Sequence, residues 1–284
     1  MAFLFHFWCM KICFNGEFLP ADAPVLTAQN RCFKWGDGVF ETMKFYQRRL
    51  LLASAHFERL FVSLQLLQID TTPIVSKENL LRCITDLCLH NNCSELARIR
   101  LAVFRNDANG AEFVIEAIPL LNNSNEWQTE GLTLCLYPYA RKAMDAFANL
   151  KSANFLPYVL AQKYAVDHQF EDAVVLNVQS LLCDTSKANI FLVKNQKLYT
   201  PALHQGCVNG VMRRTIIDEL KKAGITVSQN ELSEVDLLEA EEVFLTNAIQ
   251  TIRWVSSYKN KSYGCTFTRQ LFERISATIF QPVV

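Results

Sequence analysis

Lys151 could do covalent chemistry, because it lies in an almost uncharged segment. Its neighbours in the run Asn149-Leu150-Lys151-Ser152-Ala153-Asn154-Phe155 carry no charge. A buried lysine has a lowered pKa, and the neutral amine is the form that attacks a carbonyl carbon to make an imine. The alternative is a surface lysine whose aliphatic stem covers apolar neighbours, and composition alone favours that alternative.

Two other features could bind an anion such as phosphate. The run from Gly206 to Arg213 is a glycine-containing loop that leads into a predicted helix, and N–H groups at a helix N-terminus bind anions. His56 and Arg59 share one face of another predicted helix, where the planar guanidinium of Arg59 could hold phosphate. Each feature also has an ordinary interpretation, as a loop-to-helix junction and as a solvated helix face.

The composition indicates a globular protein with ample material for a core. Half of the 284 residues are hydrophobic, and 28 basic residues balance 28 acidic residues, so the formal net charge is zero. No basic stripe stands out, which argues against nucleic acid as a partner. No window approaches the length of apolar sequence that a membrane-spanning helix requires, so we expect no membrane partner.

The ten cysteines do not indicate a metal site. They are scattered, without a C-x-x-C pair or the spacing of zinc ligands. Cys83, Cys88 and Cys93 are spaced by five residues, which does not keep them on one helix face. We expect reduced thiols, many of them buried like small hydrophobic residues, in a cytoplasmic protein.

The first nine residues, MAFLFHFWC, have an unusual composition. They are apolar but too short and too poorly flanked for a secretory signal. The run from Met10 to Gly16 is typical of the beginning of a strand and turn. Our hypothesis is that Met10 is the native start and that residues 1–9 are an artificial extension.

Hydrophobic periodicity and turn residues predict an α+β protein. Lys11 to Phe18 is predicted to form a hairpin around Asn15-Gly16, and a strand from Val39 to Tyr46 follows the turn at Asp37-Gly38. Further strands are predicted over 98–104, 112–118, 132–137, 173–178, 190–193 and 243–246. Helices are predicted over 54–67, 76–90, 157–168, 211–223 and 268–279, the second of them capped by Ser76.

A change in composition divides the chain. The run from Leu121 to Glu126 is short and polar, which is typical of a segment that joins domains. We therefore predict a small N-terminal domain over residues 1–119, a linker over 120–127 and a larger C-terminal domain over 128–284.

Eight short motifs occur in an order that resembles one enzyme family. They are Gly36-Asp37-Gly38-Val39-Phe40-Glu41, His56-x-x-Arg59-Leu60, Leu101 to Arg105, Leu150-Lys151-Ser152-x-Asn154, Asp184 to Phe191, Tyr199-Thr200-Pro201, Val208 to Arg213, and Thr246-Asn247-Ala248. The chain thus resembles the class IV aminotransferases, from about Lys11 to the C-terminal helix. This group includes branched-chain aminotransferases, D-amino-acid aminotransferases and aminodeoxychorismate lyases.

The resemblance implies both a fold and a cofactor. The fold is that of the fold-type IV pyridoxal-phosphate enzymes, similar to D-amino-acid aminotransferase, with a small N-terminal α/β domain and a larger domain that binds the cofactor. Lys151 matches the lysine that carries pyridoxal 5′-phosphate as a Schiff base and later moves the proton at the substrate Cα. Arg59 matches the arginine that binds the phosphate, and Val211 and Met212 match residues whose N–H groups bind it.

Further positions match residues around the substrate. Arg105 matches an arginine that contacts the substrate carboxylate in the D-amino-acid branch, and Phe40 lies in a motif that borders the substrate. Asn247 and Ala248 match a loop beside the phosphate and the substrate. Thr42 lies where the lyases have a threonine thought to help proton delivery, which a hydroxyl near the leaving methylene could do. Its ordinary interpretation is a β-branched residue in a strand.

Three positions depart from the family pattern. Asp184 stands where the family normally has glutamate, whose carboxylate pairs with the pyridine nitrogen and keeps it protonated. Aspartate is one methylene shorter, so we expect a shifted strand, a bridging water or slower transamination. Phe155 replaces a tyrosine that contacts the phenolic oxygen of the cofactor in some relatives. Ala248 replaces a threonine that gives its hydroxyl to the phosphate in many aminotransferases.

The resemblance leaves the reaction open. Asn247-Ala248, Thr42 and the loop from Gln205 to Arg213 resemble the aminodeoxychorismate lyases, which release pyruvate and 4-aminobenzoate for folate synthesis. Lys151 to Asn154, followed by Leu160 to Lys163, resembles the D-amino-acid branch. The sequence therefore favours the lyase slightly over a transaminase for branched-chain or D-amino acids. Because of Asp184, a binding protein that has lost catalysis is a third alternative.

The resemblance also implies the partners. The substrate would be a small amino acid or aminodeoxychorismate. Family members are commonly homodimers, so we expect a homodimer here. Phe33 and Trp35 would fit a contact between the two subunits, and packing in the core is the equal alternative for both.

Overall fold

The computed structural model describes residues 10–71, 73–120 and 125–280. Within these ranges the chain divides into two compact units. The first unit comprises the described part of residues 1–124 together with Lys151–Asn154, and the second comprises residues 125–150 and the described residues after 154. The hypothesis about residues 1–9 and part of the predicted linker lie outside the described residues. The domain boundaries set out above stay predictions.

The first unit is built on a six-stranded sheet. Its elements are β1 (Lys11–Phe14), β2 (Glu17–Pro20), α1 (Arg31–Trp35), β3 (Gly38–Tyr46), β4 (Arg49–Leu50), α2 (Ala53–Leu66), a 3₁₀ turn (Pro73–Val75), α3 (Lys77–His90), β5 (Leu96–Arg105) and β6 (Ala111–Pro119). The strand order is β2-β1-β6-β5-β3-β4, with antiparallel neighbours.

Side chains alternate across this sheet and so separate a core from a second face. On β5, Ile99, Leu101 and Val103 are fully buried, and they share a cluster with apolar residues of α2 and α3. Burying each such side chain stabilises the fold by about 1.5–3 kcal/mol. Successive residues of a strand point to opposite faces, so Arg100 on β5 and Phe40 on β3 lie on the face away from these helices.

The second unit is built on a nine-stranded mixed sheet. Its elements are β7 (Leu132–Leu136), α4 (Leu156–Asp167), β8 (Asp172–Leu176), β9 (Leu182–Thr185), β10 (Asn189–Lys194), β11 (Lys197–Pro201), a 3₁₀ turn (Leu203–Gln205), α5 (Val211–Lys222), β12 (Val227–Asn230), α6 (Glu234–Glu239), β13 (Glu242–Asn247), β14 (Thr251–Tyr258), β15 (Lys261–Ser262) and α7 (Thr266–Ile279). The strand order is β12-β11-β10-β13-β14-β7-β8-β9, and β15 pairs with β14.

Both faces of this second sheet are covered. All five residues of β8 are buried, which is typical of a strand with helices or other layers on both sides. Ala173 and Val175 share a cluster with Ala161 and Ala165 of α4. Val174 belongs to a different cluster, which includes residues of α6. The sheet is therefore a rigid platform for the polar residues at the ends of β9, β10 and β13.

The predicted elements are confirmed. The hairpin at Asn15-Gly16 forms with antiparallel pairing, and each predicted helix and strand ends within two residues of its expected end. Ser76 caps α3, and its hydroxyl accepts a hydrogen bond from the Asn79 N–H. The structure adds α1, β4, β9, β11, β12, α6, β14 and β15, which the sequence did not predict.

Three further observations concern partners and cysteines. Among the helices that the structure describes, none has both the length and the apolar character needed to cross a membrane. The described residues contain no group of three or more His, Cys, Asp or Glu side chains placed to hold a metal ion. Most of the described cysteines are buried, as expected from the sequence.

Candidate active site

Lys151 is held against the beginning of β3 by its backbone. The Phe40 N–H donates a hydrogen bond to the Lys151 carbonyl at 2.9 Å, and Val39 and Ser152 form an antiparallel bridge. The Lys151 side chain is half-buried, and its Nζ lies 4.5 Å from the centre of the Phe40 ring. Strand-like pairing therefore fixes the backbone from which this side chain extends towards Phe40.

The Phe40 ring contacts a second cation besides the Lys151 amine. The guanidinium of Arg100 lies 4.9 Å from the same ring, and Arg100 is paired with Thr42 across the β3–β5 ladder. Phe40 and Thr42 are two residues apart on β3, so they lie on one face of the strand. The structure thus brings Lys151, Phe40 and Thr42 together and adds Arg100. The sequence signal for Arg100 was a charge alternating with the apolar residues of β5.

A buried ion cluster fixes Arg59. Glu41, only 1% exposed, accepts hydrogen bonds from Arg59 Nε at 2.7 Å and Arg59 Nη2 at 2.5 Å. Nδ1 of His56 lies 2.7 Å from Oε2, the carboxylate oxygen that Nη2 also binds. Burial alone would raise the pKa of Glu41, but the charge of Arg59 and the bond with His56 hold it at about 2. Glu41 is therefore ionised and fixes the plane of the guanidinium.

Arg105 is engaged by the protein itself. Its Nε and Nη2 donate to the Asp37 carboxylate, its Nη1 to the Gln68 carbonyl and the Asn109 side chain, and its Nη2 also to the Leu67 carbonyl. These bonds occupy all five N–H groups of the guanidinium. A substrate carboxylate could bind Arg105 only by replacing one of these partners, and the substrate role of Arg105 stays a prediction.

In the second unit, Asp184 is a buried carboxylate at the centre of a hydrogen-bond network. It is 2% exposed and accepts hydrogen bonds from the Tyr158 hydroxyl at 2.7 Å, the Val208 N–H at 2.9 Å and the Asn189 amide at 2.8 Å. Burial raises the pKa of Asp184 to about 6, although Lys142 and these donors oppose the shift. Asp184 is thus a buried carboxylate whose pKa is raised towards neutral pH.

The network leaves Asp184 with one oxygen less occupied than the other. Oδ2 accepts from both Tyr158 and Val208, whereas Oδ1 accepts from Asn189 as its one donor among the described residues. A carboxylate oxygen can accept two hydrogen bonds, so Oδ1 keeps capacity for one more donor.

Phe155 stacks on Tyr158 with ring centres 4.4 Å apart. Sequence reasoning missed Tyr158, since nothing in the motif around Lys151 indicated that a tyrosine further along α4 reaches Asp184.

Gly210 caps the N-terminus of α5 and needs to be glycine. It offers no capping side chain, so the first amides of the helix, those of Val211 and Met212, point past it without a side-chain cap. A Cβ on Gly210 would lie 1.8 Å from Oδ1 of Asn189, a distance that no real contact allows. The close approach therefore places the Asp184 network directly beside the N-terminus of α5.

Replacing Gly210 with alanine should damage both features together. The Cβ would displace Asn189, so we expect the free energy of unfolding to fall by about 1–3 kcal/mol. We also expect at least about tenfold weaker binding of pyridoxal phosphate, because one hydrogen bond to Asp184 is lost. Denaturant unfolding and an absorbance titration measure the two effects.

Gly224, in the turn after α5, provides the matched control. It has a φ of +75° and no atom within 4 Å of an added Cβ, so Gly224→Ala should lower stability through backbone strain only. Its affinity for pyridoxal phosphate should equal that of the wild type. Equal affinities for both variants would show that the contact between Gly210 and Asn189 does not matter for the cofactor.

The turn after β13 carries the remaining predicted residues. The Asn247 side chain accepts hydrogen bonds from the N–H groups of Ile249 and Gln250 at 3.0 and 2.8 Å, so it closes the turn that presents Ala248. Thr246 lies opposite Asn189 in the β10–β13 ladder, so both side chains leave the same face. The Thr246 hydroxyl is buried without a hydrogen-bond partner among the described residues.

These features of the second unit fit pyridoxal phosphate. Asp184 could accept the N–H of a protonated pyridine ring at Oδ1, and the amides of Val211 and Met212 could bind its phosphate. The buried Thr246 hydroxyl, which has no hydrogen-bond partner among the described residues, could bind a polar group of the cofactor on the same side of the sheet. Lys151 and Arg59, the other predicted cofactor residues, belong to the first unit.

Comparison with known proteins identifies close relatives in sequence. The amino-transferase class IV family matches residues 38–258. The chain is 31% identical to aminodeoxychorismate lyase of Vibrio harveyi over 237 residues, which cover 80% of this chain and 85% of that protein. It is 30% identical to a putative branched-chain-amino-acid aminotransferase of Methanocaldococcus jannaschii over 254 residues, 86% of each chain.

A solved structure of a branched-chain aminotransferase has a similar fold. The branched-chain aminotransferase of the archaeon Thermoproteus uzoniensis, determined with norvaline, has a TM-score of 0.84 to this chain at 22% identity. The match covers 95% of this chain and 94% of that one. The mixed helix and sheet fold expected from the resemblance is therefore confirmed. The chain belongs to the class IV aminotransferase family, whose enzymes depend on pyridoxal phosphate.

Proposed function

We propose that this chain is an aminodeoxychorismate lyase that uses pyridoxal phosphate to release pyruvate and 4-aminobenzoate. The observation that carries the proposal is Thr42, whose side chain leaves the same face of β3 as Phe40. Phe40 is the ring that the Lys151 amine contacts at 4.5 Å. A hydroxyl and an amine on one strand face supply two proton-transfer groups, as an elimination needs.

Each predicted cofactor residue has its own role in this proposal. Lys151 would bind the aldehyde carbon, Asp184 would hold the proton on the ring nitrogen, and Arg59 with the Val211 and Met212 amides would bind the phosphate. When bound, pyridoxal phosphate withdraws electrons from the substrate Cα. Asn247 and Ala248 would border the phosphate and the substrate.

Two side chains of the first unit, Lys151 and Thr42, would carry out the proton transfers. The Lys151 amine would take the proton from the substrate Cα. As the bond between the ring carbon and the enolpyruvyl oxygen breaks, the Thr42 hydroxyl would deliver a proton to the methylene of the leaving group, which becomes the methyl group of pyruvate, and would regain a proton from the Lys151 ammonium. Phe40 would exclude water from the space beside the amine.

Arg100 supports a substrate with more than one carboxylate. Aminodeoxychorismate has a ring carboxylate and an enolpyruvyl carboxylate, and Arg100 lies 4.9 Å from the Phe40 ring that Lys151 also contacts. Its guanidinium could bind one of the two carboxylates. Arg105, in contrast, already uses its five N–H groups within the protein. We therefore favour Arg100 over Arg105 as the substrate-binding arginine.

A transaminase for branched-chain or D-amino acids is the second candidate. It is favoured by relatives of nearly equal identity, 30% for the Methanocaldococcus jannaschii protein and 28% for D-alanine aminotransferase of Listeria monocytogenes. Release of 4-aminobenzoate from aminodeoxychorismate separates the two functions. Formation of this product supports the lyase, whereas keto-acid formation from amino acids without any 4-aminobenzoate would assign a transaminase.

Replacing Thr42 with valine tests the lyase directly. Valine keeps the shape but removes the hydroxyl, so we expect 4-aminobenzoate release to slow by about a hundredfold, as for the loss of a general acid. Binding of pyridoxal phosphate should not change. Thr85→Val is the matched control, because its hydroxyl donates to the Leu81 carbonyl of its own helix. Equal rates for both variants would remove Thr42 from the mechanism.

We also propose a homodimer. Phe33 and Trp35 are 73% and 62% exposed, so neither packs in the core of the described chain. Large exposed aromatic side chains are typical of subunit contacts. Sedimentation should show a dimer for the wild type and a monomer for a Phe33→Ser, Trp35→Ser double variant. A double variant that sediments like a dimeric wild type would place the subunit contact elsewhere.

A further inference from the structure

Lys142 is a half-buried lysine that neither the motifs nor the proposed reaction uses. Its backbone is anchored to the segment after β8, since its N–H donates to the Leu176 carbonyl and its carbonyl accepts from the Val178 N–H. Its Nζ donates to the carbonyls of Ala148 and Gly206 at 2.5 and 3.0 Å. The ammonium group is therefore held at a defined place inside the second unit.

The Lys142 ammonium group lies next to the Asp184 network, against the ring of Tyr158. Lys142 Nζ is 5.3 Å from the centre of the Tyr158 ring, and the Tyr158 hydroxyl donates to Asp184 at 2.7 Å. A cation over an aromatic face interacts favourably with it, and its charge also acts on the carboxylate beyond the ring. Because Tyr158 and Asp184 are buried, solvent screens this interaction only weakly.

We propose that Lys142 is a positioning residue that keeps Asp184 ionised, so that Asp184 can hold the proton on the ring nitrogen of pyridoxal phosphate. The inference rests on the proposed cofactor. Only an ionised carboxylate can accept that N–H while it accepts from Tyr158, Val208 and Asn189. A protonated carboxyl would carry its hydrogen on Oδ1, the oxygen with capacity to spare, and could not accept the ring N–H there.

The charges around Asp184 support this role. Burial raises the pKa of Asp184 to about 6, and Lys142 is the strongest influence in the opposite direction. The other titratable groups that face it are Tyr158 on α4, Cys183 on its own strand, Cys207 in the loop before α5 and Arg213 on α5. Burial raises the pKa of the tyrosine and of both thiols, so these three are neutral at pH 7.

Lys142 also joins two loops, so a test must separate its charge from its hydrogen bonds. Lys142→Gln keeps a donor for the Ala148 and Gly206 carbonyls but removes the charge. Lys142→Arg keeps the charge. Lys142→Met keeps the apolar contact with Tyr158 and replaces the glutamine variant if that variant is insoluble. Asp184→Asn removes the titrating group and shows which pH dependence belongs to the cofactor itself.

The measurement is the dissociation constant of pyridoxal phosphate from pH 5 to 8.5, by absorbance and equilibrium dialysis. The wild type should lose affinity below about pH 6, in a step that Asp184→Asn lacks. In Lys142→Gln the midpoint of that step should rise by about one pH unit, which weakens binding about fivefold at pH 6. Lys142→Arg should restore the wild-type midpoint.

The outcomes separate this inference from the proposed function. A glutamine variant whose midpoint equals that of a wild type that binds pyridoxal phosphate would overturn the role of Lys142 alone. An arginine variant that behaves like the glutamine variant would show that the loop contacts matter and the charge does not, which also overturns it. A wild type that binds no pyridoxal phosphate at any pH would overturn the proposed function, and this inference with it.

Discussion

Replacing Lys151 with alanine should abolish turnover and the visible absorption of bound cofactor. The amine is the group that we expect to bind the cofactor aldehyde and to move the proton at the substrate Cα. Removing a nucleophile that also acts as the base lowers rates by at least about a thousandfold. The assay is release of 4-aminobenzoate, and absorption spectra of the purified variant report cofactor binding.

The fold should survive this change. The bonds that hold the segment to β3 are made by the backbone of Lys151 and by Ser152, and alanine keeps them. Lys163→Ala is the matched control, because that lysine is 69% exposed and makes a surface ion pair with Asp167. Substantial turnover in Lys151→Ala, or a loss of equal size in the control, would refute the assignment.

Asp184→Asn should have the next largest effect. Asparagine has nearly the same shape but no charge, so it cannot hold a proton on the ring nitrogen as a carboxylate does. Hydrogen bonds to charged groups are worth about 1.5–3 kcal/mol, which predicts a rate about 10- to 100-fold lower. Asp184→Glu is the informative control, because glutamate is the residue expected here from the family pattern. Unchanged rates in the asparagine variant would show that Asp184 does not face the ring nitrogen.

The same variant has a pH signature in the cofactor-free chain. Because folding raises the pKa of Asp184 to about 6, its contribution to stability is complete below the unfolded pKa of about 4 and is lost as the pH rises through 6. A shift of about two pH units corresponds to about 3 kcal/mol. Glu41 acts in the opposite direction but at lower pH, since its pKa is held at about 2. The free energy of unfolding of Asp184→Asn should therefore vary less than that of the wild type between pH 4 and 7.

Local sequence patterns predicted most of the fold because its elements are amphipathic. The alternation of buried and partly buried residues on β5 and the helical spacing on α2 and α3 were sufficient for those elements. The helix α1 was missed because it is short and none of its residues is buried, so its apolar side chains form no stripe facing the core. The strand β9 was missed because its four residues are all buried, which gives no alternation, and one of them is Asp184.

The candidate site was predictable only where its residues lie in short motifs. Lys151 and Asp184 were found in this way. Tyr158 lies 26 residues from Asp184 in the chain, and only the packing of α4 against β8 brings its hydroxyl there. The partners of Arg105 were likewise invisible, because Asp37 is 68 residues away. Contacts that depend on tertiary packing cannot be predicted from the local spacing of residues in the sequence.

The most direct test of the account is to locate the cofactor in the chain. The protein is mixed with pyridoxal phosphate, reduced with borohydride, digested and examined by mass spectrometry for the lysine that carries the pyridoxyl group. We predict that the group is found on Lys151 and that Lys142 and Lys44 are labelled far less. A group on another lysine, or none at all, would contradict the central claim that Lys151 binds the cofactor.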